Sequence, residues 1–282
     1  MASRLQRAGL SEHRVSSSAG DRRSLRGVLG VTQNGRDLTS KVPEVALGFW
    51  LVKICATTLG ETGGDALSMT LNLGYAVSSL IFLAFFAVAL AAQIRTDRYH
   101  PAIYWSVVVA TTTVGTTTSD FIDRTLGVGY VASSIALSIA VVVVLLAWRL
   151  TAGRIEYQNI HNVRDELFYW VTILISNTLG TALGDYVADD AGFGFQRGAL
   201  LFAVLLALIA AAYFFTSISK GWLFWAAYVL TRPLGATVGD TLTKPHNEGG
   251  FALSRITSSA VIAVVMIILV AMTERRTREP VR

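Results

Sequence analysis

Four aromatic–tryptophan pairs divide this chain: Phe49-Trp50, Tyr104-Trp105, Tyr169-Trp170 and Phe224-Trp225. The tryptophans lie 55, 65 and 55 residues apart. Ten residues after each stands a glycine: Gly60, Gly115, Gly180 and Gly235. Fifteen after each stands an aspartate (Asp65, Asp120, Asp185, Asp240), and twenty-four after each a second glycine (Gly74, Gly129, Gly194, Gly249). The columns align without a gap, so the chain is four copies of one unit. The 55-65-55 spacing also hints at a two-unit block that was itself duplicated.

Each unit reads as two helices. The second is the plainer one: 75–94, 128–148, 198–219 and 256–273 contain no Asp, Glu, Lys or Arg. Each is close to the roughly 20 residues that a helix needs to cross a hydrocarbon core. A spanning segment must satisfy its own backbone, which selects helices. The whole chain has a mean hydropathy of +0.51 and only 15% charged residues over 282 positions, too few for a soluble surface of that size. The expected fold class is all-α integral membrane: eight transmembrane helices as four parallel helical-hairpin repeats. The spans are expected near 44–68, 73–94, 101–123, 128–149, 165–188, 197–217, 221–243 and 254–273. They form a membrane domain over 41–273 with repeats 44–96, 99–150, 164–217 and 219–273. Pro43 and Pro101 fall where a first-turn proline is tolerated.

Positive charge sets the expected orientation. Residues 1–40 carry Arg4, Arg7, Arg14, Arg22, Arg23, Arg26 and Arg36 among Ser, Gly and Gln, with no apolar run. They read as a disordered basic cytoplasmic tail rather than a signal peptide. A hold on anionic lipid headgroups and a passive solvated role are both open for it. The 95–100 and 149–164 linkers and the 274–282 tail are also basic, whereas the turns inside the hairpins hold mainly Arg124, Arg197 and Lys244. The positive-inside rule then places both termini and all inter-repeat linkers in the cytoplasm, and all four hairpins enter from one side. Because the basic residues sit at chain ends and in short loops, the pI near 9.5 does not point to nucleic acid. The single cysteine, Cys55, excludes an intrachain disulfide and a multi-cysteine metal site.

The first helix of each unit carries the chemistry. Its Trp is expected at the cytoplasmic interface, and fifteen residues of helix reach about 22 Å. Each Asp therefore lies in the outer half of a core of roughly 30 Å, where ionisable groups are costly and functional by default. Positions 3, 4, 7 and 8 before the Asp share its face. They are Thr62, Glu61, Thr58 and Thr57 in the first unit, and Thr117, Thr116, Thr113 and Thr112 in the second. The third has Ala182, Thr181, Thr178 and Asn177, and the fourth Thr237, Ala236, Pro233 and Arg232. Thirteen of the sixteen are polar, so four polar stripes must face one another or water. The second helices lack such stripes and read as an outer scaffold.

Carboxylates with hydroxyl and carbonyl oxygens form a hard site suited to Mn²⁺, Mg²⁺, Ca²⁺ or protons. The candidate metal ligands are Glu61, Asp65, Asp120, Asp185 and Asp240. The candidate pathway adds Asn177, Arg232, Thr58, Thr113 and Thr178. Pro233, next to Arg232, removes a backbone donor and frees a carbonyl one turn earlier in the helix. Carboxylates crowded in a low-dielectric interior hold protons, which suits proton coupling. Other readings stay open. Gly64-Asp65, Gly184-Asp185 and Gly239-Asp240 could end one helix and cap the next turn, with Ser119-Asp120 departing from the pattern. Arg232 is either a counter-ion that cargo competes with or a structural ion-pair partner. Lys53 reads as a snorkelling interfacial residue. Asp123, Arg124, Asp189, Asp190 and Lys244 read as solvated turn residues, and His100 and His246 as surface residues.

The strings Lys41-Val42-Pro43-Glu44-Val45, Gly60-Glu61-Thr62-Gly63-Gly64-Asp65 and Tyr99-His100-Pro101 resemble a bacterial family. So do Asn177-Thr178-Leu179-Gly180-Thr181-Ala182-Leu183-Gly184-Asp185 and Arg232-Pro233-Leu234-Gly235-Ala236-Thr237-Val238-Gly239-Asp240. Its members are membrane-anchored proteins made of four copies of a repeat of unknown function. The resemblance covers 41–273 and implies a multi-pass protein of the bacterial inner membrane. A looser similarity runs to cation/proton exchangers whose repeats carry a Glu-x-Gly-Asp motif. Here Glu61 and Asp65 are four apart, and Thr116, Thr181 or Ala236 replaces the Glu elsewhere.

The expected function is secondary transport of a divalent cation, manganese among the candidates, coupled to protons through an acidic central site. One alternative is an organic-anion/proton transporter using Arg232. Another is a structural or sensing membrane protein. No P-loop is present, so ATP-driven pumping is not expected. Nor is an enzyme: there is no HExxH, no histidine near Cys55 and no base partner for a serine. No resident cofactor and no nucleic acid are expected. The partners are the lipid bilayer and a small ion or small-molecule cargo.

Overall fold

The computed structural model describes residues 41–153, 155, 160 and 162–278. The basic segment 1–40 and Arg154 of the 149–164 linker lie outside the described residues. Among the described residues there are eight α-helices: α1 Leu47–Asp65, α2 Gly74–Arg95, α3 Pro101–Asp120, α4 Tyr130–Ala152, α5 Val163–Asp185, α6 Gly194–Phe215, α7 Lys220–Thr243 and α8 Arg255–Arg278. No strand occurs among the described residues. Pro101 opens α3 as expected, and Asn162 caps α5 by accepting from the Asp165 amide at 2.8 Å. Pro43 instead precedes α1, which starts at Leu47; α8 runs on to Arg278 within the 274–282 segment, of which 279–282 lie outside the described residues.

The odd helices form a closed ring in which α1 packs on α3, α3 on α5, α5 on α7 and α7 on α1. The even helices sit outside, and their placement corrects the hairpin expectation. Each outer helix packs on the inner helix of the next unit: α2 on α3, α4 on α5, α6 on α7, and α8 back on α1. The turn joining the two helices of a unit is held open by the third column of the repeat. Gly74, Gly129, Gly194 and Gly249 have φ of +74°, +81°, +71° and +84°, a left-handed backbone that glycine adopts without strain.

The ring depends on the first glycine column. A Cβ on Gly60, Gly115, Gly180 or Gly235 would overlap Thr112, Asn177, Arg232 or Thr57, always the residue seven after the Trp of the following unit. Small residues at these crossings let polar helices approach closely. Hydroxyls cross the same seams: Thr112 Oγ1 donates to the Ala56 carbonyl at 3.1 Å, and Thr57 Oγ1 to the Thr231 carbonyl at 3.2 Å. The exterior is apolar. Leu80, Val88, Ile139, Leu150, Leu208 and Ile267 are among its exposed residues. The four outer helices, and α5 with the turn after it, are long and apolar enough to cross a membrane. The inner helices α1, α3 and α7 are not in that set, because their polar faces turn toward one another.

Candidate functional site

On each inner helix, every fourth residue from the aromatic before the Trp faces inward. In α1 these are Phe49, Lys53, Thr57, Glu61 and Asp65; all are buried, as are their counterparts in α3, α5 and α7. Because each step of four returns to nearly the same side of a helix, the interior is a stack of four-residue layers. An aromatic layer stands at the end nearest the described N-terminal segment, and an aspartate layer at the other.

Phe49, Tyr104, Tyr169 and Phe224 make the aromatic layer. Each meets the Trp of the next unit: Phe49–Trp105 at 5.7 Å, Tyr104–Trp170 at 5.6 Å, Tyr169–Trp225 at 5.8 Å and Phe224–Trp50 at 5.7 Å between centroids. The Tyr104 and Tyr169 hydroxyls are 2.7 Å apart. Trp105, Trp170 and Trp225 are therefore buried against the neighbouring units. Ring contacts across the seam, three tilted and one edge-on, take them inside.

Two layers further in, Arg232 reaches across the ring. Its Nη2 donates to Glu61 Oε2 of α1 at 2.9 Å, to Thr116 Oγ1 of α3 and to Thr181 Oγ1 of α5 at 2.7 Å. Thr116 lies 3.3 Å from the same Glu61 oxygen. One guanidinium from the fourth unit thus ties all four inner helices together. Asn177, in the same layer as Arg232, donates to Thr111 Oγ1 at 3.0 Å.

The four aspartates close the stack. None caps a helix: Asp65, Asp120 and Asp185 are followed by a turn of π-helix (Ala66–Thr70, Phe121–Thr125, Tyr186–Asp190), and α7 runs on past Asp240. Such π turns recur at functional sites. One carboxylate oxygen from each of Glu61, Asp65 and Asp240 lies within 4.8 Å of the other two, and all three residues are buried. These three could share one hard cation. Asp120 and Asp185 form the other half of the layer, bridged by Arg124 at 3.0 and 3.3 Å. Lys244 stands 3.6 Å from Asp240, and Arg255 3.5 Å from Asp65.

These counter-ions correct the reading of the turns. Arg124, though an exposed turn residue, is a partner of the aspartate layer, Lys244 is buried beside it, and Asp123 is buried against Ser119 at 3.2 Å. The i, i+4 spacing of Asp120 to Arg124 and Asp240 to Lys244 was a signal in the sequence. Arg255 gave none, since it arrives from α8. Lys53 is also corrected: it is wholly buried, with Nζ 4.2 Å from the centroid of the Tyr228 ring. The hydroxyls of Thr58, Thr113 and Thr178 turn back to carbonyls of their own helices at 2.9–3.1 Å.

A family model described as a Repeat of Unknown Function (DUF347) matches four times, at 48–99, 103–154, 168–219 and 223–279. No curated protein and no solved structure matches the chain. The four matched segments coincide with the four units read from the Trp, Gly and Asp columns and take in most of the chain, which therefore belongs to this family of repeat proteins.

Proposed function

We propose that this protein is a secondary transporter that carries a divalent metal cation, manganese the leading candidate, in exchange for protons. The carrying observation is the trio Glu61, Asp65 and Asp240, three buried carboxylates from two helices with oxygens within 4.8 Å of one another. An all-oxygen site of flexible geometry suits Mn²⁺, Mg²⁺ or Ca²⁺. Arg232, Lys244 and Arg255 hold these acids at 2.9, 3.6 and 3.5 Å and act as internal counter-ions that an arriving cation displaces. Asp120 and Asp185, clamped by Arg124, form the second half of the pathway and take up protons as the metal leaves.

In this reading all eight helices span the bilayer of a bacterial inner membrane, with the termini and inter-repeat linkers cytoplasmic. The aromatic layer then closes the cytoplasmic end. The cation reaches the aspartates from the opposite face, past Arg124 and Arg255, whose side chains are 30% and 24% exposed.

The test is metal-dependent proton flux in proteoliposomes, comparing wild type with a Glu61→Gln/Asp65→Asn variant. Loss of flux in the variant supports the proposal; equal flux, or none with any divalent cation, sinks it. A second reading rests on the same ion pairs: the aspartates only knit the ring together. It expects single Asp→Asn changes to lower folded yield in proportion to any flux lost.

A further inference from the structure

Between the aromatic layer and the acid trio lies a different kind of environment. Lys53, Tyr228 and Arg232 are each fully buried, on consecutive layers of α1 and α7. Lys53 Nζ sits over the Tyr228 ring at 4.2 Å, and Arg232 follows Tyr228 by one turn on the same face of α7. Yet Lys53 Nζ, the Tyr228 hydroxyl, and Arg232 Nε and Nη1 have no hydrogen-bond partner. Only Nη2 of the guanidinium is engaged, by Glu61, Thr116 and Thr181.

The chemistry is one-sided. An ammonium offers three hydrogens, the free guanidinium edge three more and the phenol one, so donors are in excess. Among the described residues Lys53 also has no carboxylate partner, since Glu61, the buried acid of this region, pairs with Arg232. An uncompensated buried charge costs several kcal/mol, and a cation–π contact offsets only part of that. Asn177 Oδ1 is likewise unpartnered, but a neutral carbonyl satisfies a hydrogen and not a charge. A monoanion supplies both the missing acceptor and the missing charge.

We propose that Lys53, Tyr228 and the free edge of Arg232 form a binding site for a small monoanion, a halide or a small carboxylate. The site adjoins the acid trio through the Arg232–Glu61 pair but uses none of its carboxylates, so it stands whether or not that trio carries a metal. It also accounts for Lys53 in the first unit, where the equivalent positions Val108 and Ile173 are apolar.

The purified full-length protein in detergent is titrated calorimetrically with sodium chloride and, separately, sodium acetate, at constant ionic strength. Saturable binding of chloride identifies a halide site, and of acetate a carboxylate site; either supports the proposal. Lys53→Met should weaken that binding about tenfold or more, as loss of a charge-assisted contact does. This variant removes a buried charge and keeps the stem, so it should fold. Tyr228→Phe keeps the ring under Lys53 and should weaken binding by about threefold to tenfold. Asp65→Asn should spare the anion while impairing Mn²⁺ binding, which separates this site from the metal reading. No saturable binding of either anion, or unchanged affinity in Lys53→Met, overturns the proposal.

Discussion

Arg232 of the fourth unit donates to Glu61 of the first at 2.9 Å, with both side chains buried. This contact joins the two ends of the repeat array, so it closes the ring as well as pairing two charges. Removing one member of such a pair leaves the other buried and alone, at a cost of about 3–5 kcal/mol. Arg232→Met should therefore lower thermal stability in detergent sharply. The Glu61→Gln/Arg232→Met double variant should recover most of the loss. A double variant as unstable as the sum of the singles would show that the pair is not coupled.

The glycine columns make a sharper contrast. A Cβ on Gly180 would overlap Cβ and Cγ of Arg232 and lie 3.0 Å from Cδ of Pro233, whereas one on Gly63 would meet nothing nearer than 4.0 Å. Gly180→Ala should cost about 1–3 kcal/mol through overpacking. Gly63→Ala, in a helix interior with room, should be neutral or gain up to about 1 kcal/mol. Thermal unfolding of the two variants side by side checks this, and equal effects would mean that the ring seam is not as close as described.

The paired hydroxyls of Tyr104 and Tyr169, 2.7 Å apart inside the aromatic layer, satisfy one another. Tyr104→Phe should cost about 1–3 kcal/mol, because it strands the remaining buried hydroxyl. Tyr104→Phe/Tyr169→Phe should be nearly as stable as wild type. The comparison is again one of unfolding midpoints, with the double variant as the deciding arm.

Sidedness is directly measurable. Asp97 lies in the turn between α2 and α3, Asn247 in the loop between α7 and α8, and both are exposed. In a Cys55→Ala background, Asp97→Cys should react with a membrane-impermeant maleimide only from the cytoplasm, and Asn247→Cys only from outside. Labelling of both from one side would contradict an odd number of spans between them.

The repeat, the eight helices and the inward column of Asp65, Asp120, Asp185 and Asp240 were legible in the chain, because a fixed offset from each Trp is also a fixed face of a helix. The polar partners of that column were half legible. Glu61 and Arg232 stand out as charges in apolar segments, and Arg124 and Lys244 sit four residues after an Asp. Thr58, Thr113 and Thr178 share the stripe by spacing, yet their hydroxyls serve their own helices. A stripe two residues wide has one edge on the ring seam and the other beside it.

The amino-acid order by itself therefore determined the fourfold unit, its two helices and the side of each inner helix that must avoid lipid. Those are consequences of local periodicity and of the cost of bare polar groups in hydrocarbon. Only the tertiary structure decided which helices meet. It set each outer helix on the following unit, brought Arg255 from α8 to Asp65, and drew Lys53 over Tyr228. These contacts depend on the array closing on itself, so that the first unit packs on the fourth. Closure is a property of four crossing angles together, and no single segment of sequence encodes it.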